Sequence, residues 1–405
     1  MEPSKWTLTA RWILPVSGPP LERGTVTVAG DTIIAVEPHG SRAADLDLGN
    51  VAVIPGLVNA HTHLDLSSVS GRIPFNGDFT NWLRGVIAYR RSMTTEQVEI
   101  AVRAGLAESL SHGVTLLGDI SGDGSSWDVL AAAPLRAVVF RELIGLPSDR
   151  ARAAWMGLLR WRLAERQTLS CRAGVSPHAP YSVNASIIRA AAWNGFPLSI
   201  HLAETAAELE LLERHTGPFV PFLKEVGAWY PESLAPSLDW VLWRTDWSPC
   251  VLYVHCNFLP ADSVIPPQGT VVYCPRTHAY FSHPPHPFRD FLKRGVRVAL
   301  GTDSRASNPD LDLFAEARFL HQQYPDFPCS TLLWMATLAG AEALGWADVT
   351  GSLAPGKSAD LVALPLPDRD DADPYQLLFE ADLPGRRVLW RGEWRETATR
   401  QGTTS

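Results

Sequence analysis

An α/β fold, a (β/α)8 TIM barrel carrying a small β-sandwich formed by both termini, is the fold class this sequence predicts. Three observations predict it. Short apolar runs alternate with amphipathic helical stretches through the middle of the chain. Both ends alternate apolar and polar residues in the manner of half-buried strands. Histidines and carboxylates recur just after the apolar runs, the end of a barrel strand where chemistry collects.

Residues 1–54 read as strands: "KWTLTARWILP", "GTVTVAGDTIIAVEP" and "NVAVIPG" alternate, with Gly and Pro between them. From residue 55 the rhythm changes. "VIPGLVNAHTH" supplies the first barrel strand. It is followed by "VTLLGDI", "LRAVVFRELIGL", "CRAGVSPHA", "PLSIHLAET", "CVLYVHCN", "TVVYCPRT" and "RVALGTDS", eight in all. Helical stretches separate them. "TTEQVEIAVRAGLAESLSHG" opens on Thr N-caps and closes on Gly113, and "NASIIRAAAWNG" and "PFRDFLKRG" repeat the pattern. Two helices, "DLFAEARFLHQQY" and "STLLWMATLAGAEALG", follow the last strand. "GSLAPGKSADLVALPLP" and "RRVLWRGEW" then return to strand patterning, so 1–54 and 352–395 form one composite sandwich around a barrel of 55–351. The closing "RETATRQGTTS" reads as loose chain.

Composition limits the function classes. The 405 residues are too many for one small core and suit a large barrel with additions, or two domains. With 46% apolar and 19% charged residues the chain is globular, not disordered. A net charge of −8 and no basic stripe argue against a nucleic-acid partner. No leader-like apolar core opens the chain and no run is long enough to span a membrane, so a cytoplasmic protein is expected. Five dispersed cysteines, Cys171, Cys250, Cys256, Cys274 and Cys329, suit reduced thiols in that compartment. Fifteen tryptophans leave material for an interface, so a homodimer fits the composition.

The polar residues at the strand ends carry the functional argument. His61 and His63 end the first strand; positions i and i+2 share a face, so two imidazoles can converge on one metal ion. His178 follows the fourth strand, His201 and Glu204 end the fifth, His255 the sixth and Asp303 the eighth. One strand-end histidine is ordinarily just a hydrogen-bonded polar residue. Agreement among five separate strand ends is a stronger signal.

Together "PGLVNAHTHLD", "SPHAPYSV", "IHLAET", "VHC", "ALGTDS" and "GSLAPGKSADLV" resemble the amidohydrolase superfamily, over residues 5 to 392. The resemblance implies a metal-dependent hydrolase with His61, His63, His201 and Asp303 as ligands. It also implies His255 assisting the attacking water or the substrate, Asp303 taking the water's proton, and Glu204 as the acid–base group toward a ring nitrogen. Many members bridge two metals with a carboxylated lysine after strand four. No lysine occurs here between Lys5 and Lys224, and Glu142 is the single carboxylate that could substitute. One divalent ion is therefore expected, Zn²⁺ with Fe²⁺ as the alternative.

The expected partner is a small heterocyclic substrate. "SPHAPYSV" is similar to adenosine-type deaminases, which implies a substrate contact for His178, and "VFRELIGL" implies one for Arg141. Where methylthioadenosine/S-adenosylhomocysteine deaminases carry a ribose-binding glutamate after the tryptophan matching Trp82, this chain has Arg90 and Arg91. That exchange favours a carboxylate-bearing substrate. "CPRTHAYFSHPPHPFRDFLKRGVRVALGTDS" resembles aminodeoxyfutalosine deaminases, whose substrate carries a benzoate; Arg90, Arg91 and Arg276 are the clamp residues expected. The bland alternative is that Arg90 and Arg91 only solvate a helix end. "HPPHP", with His278, His283 and His286, reads as a proline-stiffened loop, not a second metal site. Other readings are S-adenosylhomocysteine/methylthioadenosine deamination or guanine- or triazine-type hydrolysis on the same barrel, or a non-catalytic scaffold, which should have lost a ligand or the acid–base carboxylate.

Overall fold

A computed structural model describes residues 4–164, 168–370, 373–380 and 383–395; the polar tail expected to be loose lies, beyond its first residue, outside the described residues. Eight parallel strands form one sheet in sequence order: β1 (Leu57–Thr62), β2 (Val114–Ser121), β3 (Arg136–Leu143), β4 (Cys171–Pro177), β5 (Leu198–Leu202), β6 (Val251–His255), β7 (Gly269–Tyr273) and β8 (Arg297–Leu300). They are almost wholly buried, which is why each reads as an unbroken apolar run. The sheet closes between β8 and β1. Thr302 N–H and Asp303 N–H both donate to His61 O at 3.1 Å, and the Asn59 side chain donates to Thr302 Oγ1 at 2.8 Å.

The expected first strand is two. Val51–Pro55 pairs antiparallel with Leu361–Pro365 in an outer sheet, and β1 begins only at Leu57. Gly56 makes the step between them, because a Cβ there would run into the Thr115 side chain. That outer sheet has six strands drawn from both ends of the chain, and Lys5–Thr9 centres a second sheet of four. Leu8, Val26, Val28, Ile33, Val53, Leu361 and Leu389 fill the space between them.

Two helices set the cover of the barrel mouth. Asp78 caps α1 (Phe79–Ser92) by accepting from Thr80 and Asn81 N–H. A Thr94–Gln97 capping box starts α2 (Thr95–Ser111), and Gly113, at φ 89°, ends that segment as its spacing predicts. The expected helix "STLLWMATLAGAEALG" is instead two, Cys329–Met335 and Leu338–Ala343. Thr337 Oγ1 donates to Leu333 O at 2.6 Å and Val58 N–H takes Ala336 O at 2.9 Å, so both side chain and strand draw carbonyls out of the ladder. No described helix is long and apolar enough to cross a membrane.

Candidate metal centre

The strand ends bring the predicted residues together. His61, His63 and His201 offer ring nitrogens within 4.8 Å of one another, and so do His61, His255 and the Asp303 carboxylate. Nε2 of His61 and of His63 each lies 3.6 Å from Asp303 Oδ1. The His61 ring stands 4.9 Å from that of His63 and 5.0 Å from that of His201. The backbone is bent to achieve this. Ala203, His255, Cys256 and Asp303 all have positive φ, between 51° and 71°, and left-handed non-glycine residues gather where a site is worth the strain.

These groups fit a resident cation. His61 is fully buried and neither of its ring nitrogens has a hydrogen-bond partner among the described residues, an arrangement that costs free energy unless something accepts the lone pair. His201 Nδ1 is tied to His178 O at 2.8 Å, which leaves Nε2 for a metal. Burial, and then the charges of neighbouring imidazoles, hold His63 and His201 well below the usual histidine range, so both stay neutral ligands. Asp303 is pushed up by burial, but the His61 and His255 rings beside it and a hydrogen bond from Ser307 outweigh this and hold its carboxyl below the usual range. Three neutral imidazoles and one carboxylate suit zinc or iron.

Glu204 stands beside this cluster without joining it. It is 5% exposed, and its Oε1 lies 3.5 Å from His255 Nε2. Burial, and then the charges of Asp303 and Glu208, raise its pKa well above the carboxylate range, so it carries a proton that it can give. Its backbone is fixed independently of its carboxyl group: Asn257 Nδ2 donates to Glu204 O at 3.0 Å, and Glu204 N–H donates to Glu208 Oε2 at 2.9 Å. Glu208, absent from the sequence-derived site, is wholly buried and also accepts Ala203 N–H at 3.0 Å. Its signal was legible as the fourth residue of "TAAE", a capping-box spacing after Thr205.

The other predicted residues separate. A cavity of about 50 Å³ lies over the cluster, with His178 and Arg90 on its polar side and Leu66, Phe79, Trp82 and Val86 on its apolar side. Arg90 reaches it, but its guanidinium is spent. It lies 2.9 Å from Asp65, 3.1 Å from Glu142 and 3.1 Å from His63 Nδ1. Arg91 is exposed on the far side of α1. Arg276 is held at 2.6 Å by both Asp310 and Glu316. Arg141 donates to Gly122 O and lies near Gly157 of an outer helix, away from the cavity lining. The structure does not bring the three clamp arginines together: acidic partners distant in sequence pair with Arg90 and Arg276, and Arg91 is exposed. Glu142 stands outside both donor clusters found among the described residues. His278 Nε2 donates to Pro284 O at 2.8 Å and His286 Nε2 donates to His255 O at 2.7 Å, contacts that tie the proline-rich loop down.

Comparison with known proteins agrees with this geometry. Residues 52–389 match the amidohydrolase family. The chain belongs to that family. Among curated relatives of this amidohydrolase, a 5-methylthioadenosine/S-adenosylhomocysteine deaminase of Nitratidesulfovibrio vulgaris is 32% identical over 370 residues, covering 85% of this chain and 80% of the relative. An aminodeoxyfutalosine deaminase of Deinococcus radiodurans is 31% identical over 356 residues, covering 80% and 81%. The amidohydrolase fold is shared with the Helicobacter pylori aminofutalosine deaminase in complex with methylthio-coformycin (TM-score 0.84, 22% identity, 96% and 100% covered). It is shared too with a zinc-bound adenosine deaminase of Xanthomonas campestris (TM-score 0.76, 24% identity, 96% and 92% covered).

Proposed function

We propose that this amidohydrolase is a metal-dependent hydrolytic deaminase of an adenine-type nucleoside. The observation that carries the reading is Glu204, a buried carboxyl group 3.5 Å from His255 and beside a three-histidine, one-aspartate cluster. His61, His63, His201 and Asp303 would hold the ion. Bound there, a divalent cation supplies a nucleophile at neutral pH by lowering the pKa of water to about 7.

The chain's own groups do the rest. Asp303 accepts the proton of the attacking water. Glu204 delivers a proton to the ring nitrogen next to the amino-bearing carbon, which makes that carbon electrophilic. Water oxygen bonds to the carbon, the proton taken by Asp303 passes to the amino nitrogen, the carbon–nitrogen bond breaks and ammonia leaves, and the hydroxyl proton returns to Glu204 as the ring keeps a carbonyl. His255, 3.5 Å from Glu204, orients the water or the substrate. The apolar wall of Leu66, Phe79, Trp82 and Val86 faces the ring and excludes bulk water.

For the substrate, the sequence points to 6-amino-6-deoxyfutalosine and hence to menaquinone biosynthesis. A second reading, methylthioadenosine or S-adenosylhomocysteine, is favoured by one observation: Arg90 and Arg276 are already neutralised by carboxylates. The ion is zinc in this reading, with iron accepted by the same ligands, and the compartment is the cytoplasm, in keeping with five cysteines dispersed along the chain. Zinc- or iron-loaded protein offered the futalosine derivative, methylthioadenosine, S-adenosylhomocysteine and adenosine should release ammonia from at least one. Failure with all four would end the reading.

A further inference from the structure

One carboxylate is left unused by this chemistry, behind the cavity-lining residues Arg90 and His178. Glu142 ends β3 with its side chain 2% exposed. Arg90 Nη1 holds Oε2 at 3.1 Å. Oε1 is buried with no hydrogen-bond partner among the described residues, and it lies 4.0 Å from His178 Nε2. That histidine is itself anchored through Nδ1, 2.6 Å from Ser182 Oγ, so Nε2 remains for a ligand.

A carboxylate oxygen offers only lone pairs, and one buried without a donor costs of order 1–3 kcal/mol. The missing partner is therefore an O–H or N–H that arrives with a ligand. Its chemistry follows from position. The His178 ring is 4.9 Å from that of His201, whereas Glu204 stands beside His255, next along the row. Glu142 is thus reached from His201 through His178, and Glu204 through His255, so the two carboxyl groups stand beside different imidazoles of the cluster. With the amino-bearing carbon of the base at Glu204 and Asp303, the donors left to face Glu142 are the hydroxyls of the sugar.

We infer that Glu142 is a specificity residue that accepts a hydrogen bond from a sugar hydroxyl of the substrate, with His178 contacting the same hydroxyl and Arg90 fixing the carboxylate. This rests on the nucleoside reading above. Arg90, where a clamp for a substrate carboxylate was expected, then acts by aiming Glu142.

The test compares adenosine with 2′-deoxyadenosine and 3′-deoxyadenosine, at enzyme concentrations high enough to read slow turnover. Wild-type protein should prefer adenosine over one of the two analogues by about 10- to 100-fold in kcat/KM, the worth of one hydrogen bond to a charged group. Glu142→Gln should bring that ratio toward parity, mainly through KM. Arg90 keeps the amide oxygen, so the amide NH2 replaces the accepting oxygen with a donor. Equal kcat/KM for all three nucleosides with the wild type overturns the inference and needs no variant. So does full discrimination retained by a folded Glu142→Gln. Turnover of none of the three would overturn this inference, and would sink the nucleoside reading itself only if methylthioadenosine, S-adenosylhomocysteine and the futalosine derivative also release no ammonia.

Discussion

Glu204→Gln puts the proposed chemistry under the sharpest strain. The substitution keeps the shape of the side chain and removes a proton that can be transferred. In the folded protein burial, Asp303 and Glu208 hold the Glu204 carboxyl in its neutral form, so a carboxamide of the same size replaces a carboxylic acid, not an anion. The backbone contacts with Asn257 and Glu208 do not use the carboxyl group, and Glu204 contributes no atom to the two donor clusters. Stability should change by less than about 1 kcal/mol, and metal content should not change. Turnover should. Proton delivery to a ring nitrogen by a placed acid is worth about 10²- to 10⁴-fold, which at 1.36 kcal/mol per tenfold is about 3–5 kcal/mol of barrier. Ammonia release by metal-loaded wild type and variant, with metal content measured on the same samples, reads the effect. A variant that keeps its metal and loses less than about tenfold in kcat would refute the assignment of Glu204 as the proton donor.

Two further outcomes follow from the same geometry. His61→Ala should lose tightly held metal as well as turnover, because both nitrogens of that buried ring are otherwise unpartnered; metal analysis after dialysis checks it. Asp119, 1% exposed and accepting Leu64 N–H at 3.0 Å, is raised by burial from 3.8 to about 7. Folding therefore favours its protonated form, so its contribution is complete below about pH 4 and is lost as pH rises through 7. Relative to Asp119→Asn, wild-type stability should fall by up to about 1.4 kcal/mol per pH unit across that window and level off above it; urea unfolding at pH 5, 6, 7 and 8 reads the slope, and parallel curves would count against it.

The strands and the ligands were legible for one reason. A parallel barrel strand is buried on both faces and reads as an apolar run, so the polar residue that ends it stands out. His61, His63, His201 and Asp303 are such residues, and the structure gathers them. The arginines could not be read in this way. Arg90 is neutralised by Asp65 and Glu142, 25 and 52 positions away, and Arg276 by Asp310 and Glu316, 34 and 40 away. Whether a cation is free to meet a substrate depends on such pairings, which sequence spacing does not encode. The step at Gly56 and the break at Thr337 escaped for a similar reason: each answers to a contact made by another part of the chain, the Thr115 side chain in one case and Val58 N–H in the other.

The seam of the barrel and the metal centre are built from the same residues, which ties the fold to the site. His61 O accepts the two amides that join β8 to β1, and one of those amides belongs to Asp303. His61 and Asp303, the ligands proposed above, are thus set in register by the bonds that close the sheet. Asn59, fully buried, stitches that seam without touching the ion: it donates to Thr302 Oγ1 at 2.8 Å and accepts Thr302 N–H at 3.2 Å. Asn59→Ala leaves buried Thr302 groups with weaker partners, a loss of about 1–3 kcal/mol. Because the seam sets the ligands, the same change should weaken zinc binding, as supporting contacts around metal ligands commonly do by about 10- to 100-fold. Thermal unfolding with and without zinc, joined to chelator competition, separates the two effects. A destabilised Asn59→Ala protein with wild-type zinc affinity would mean that the ligands hold their places without the seam.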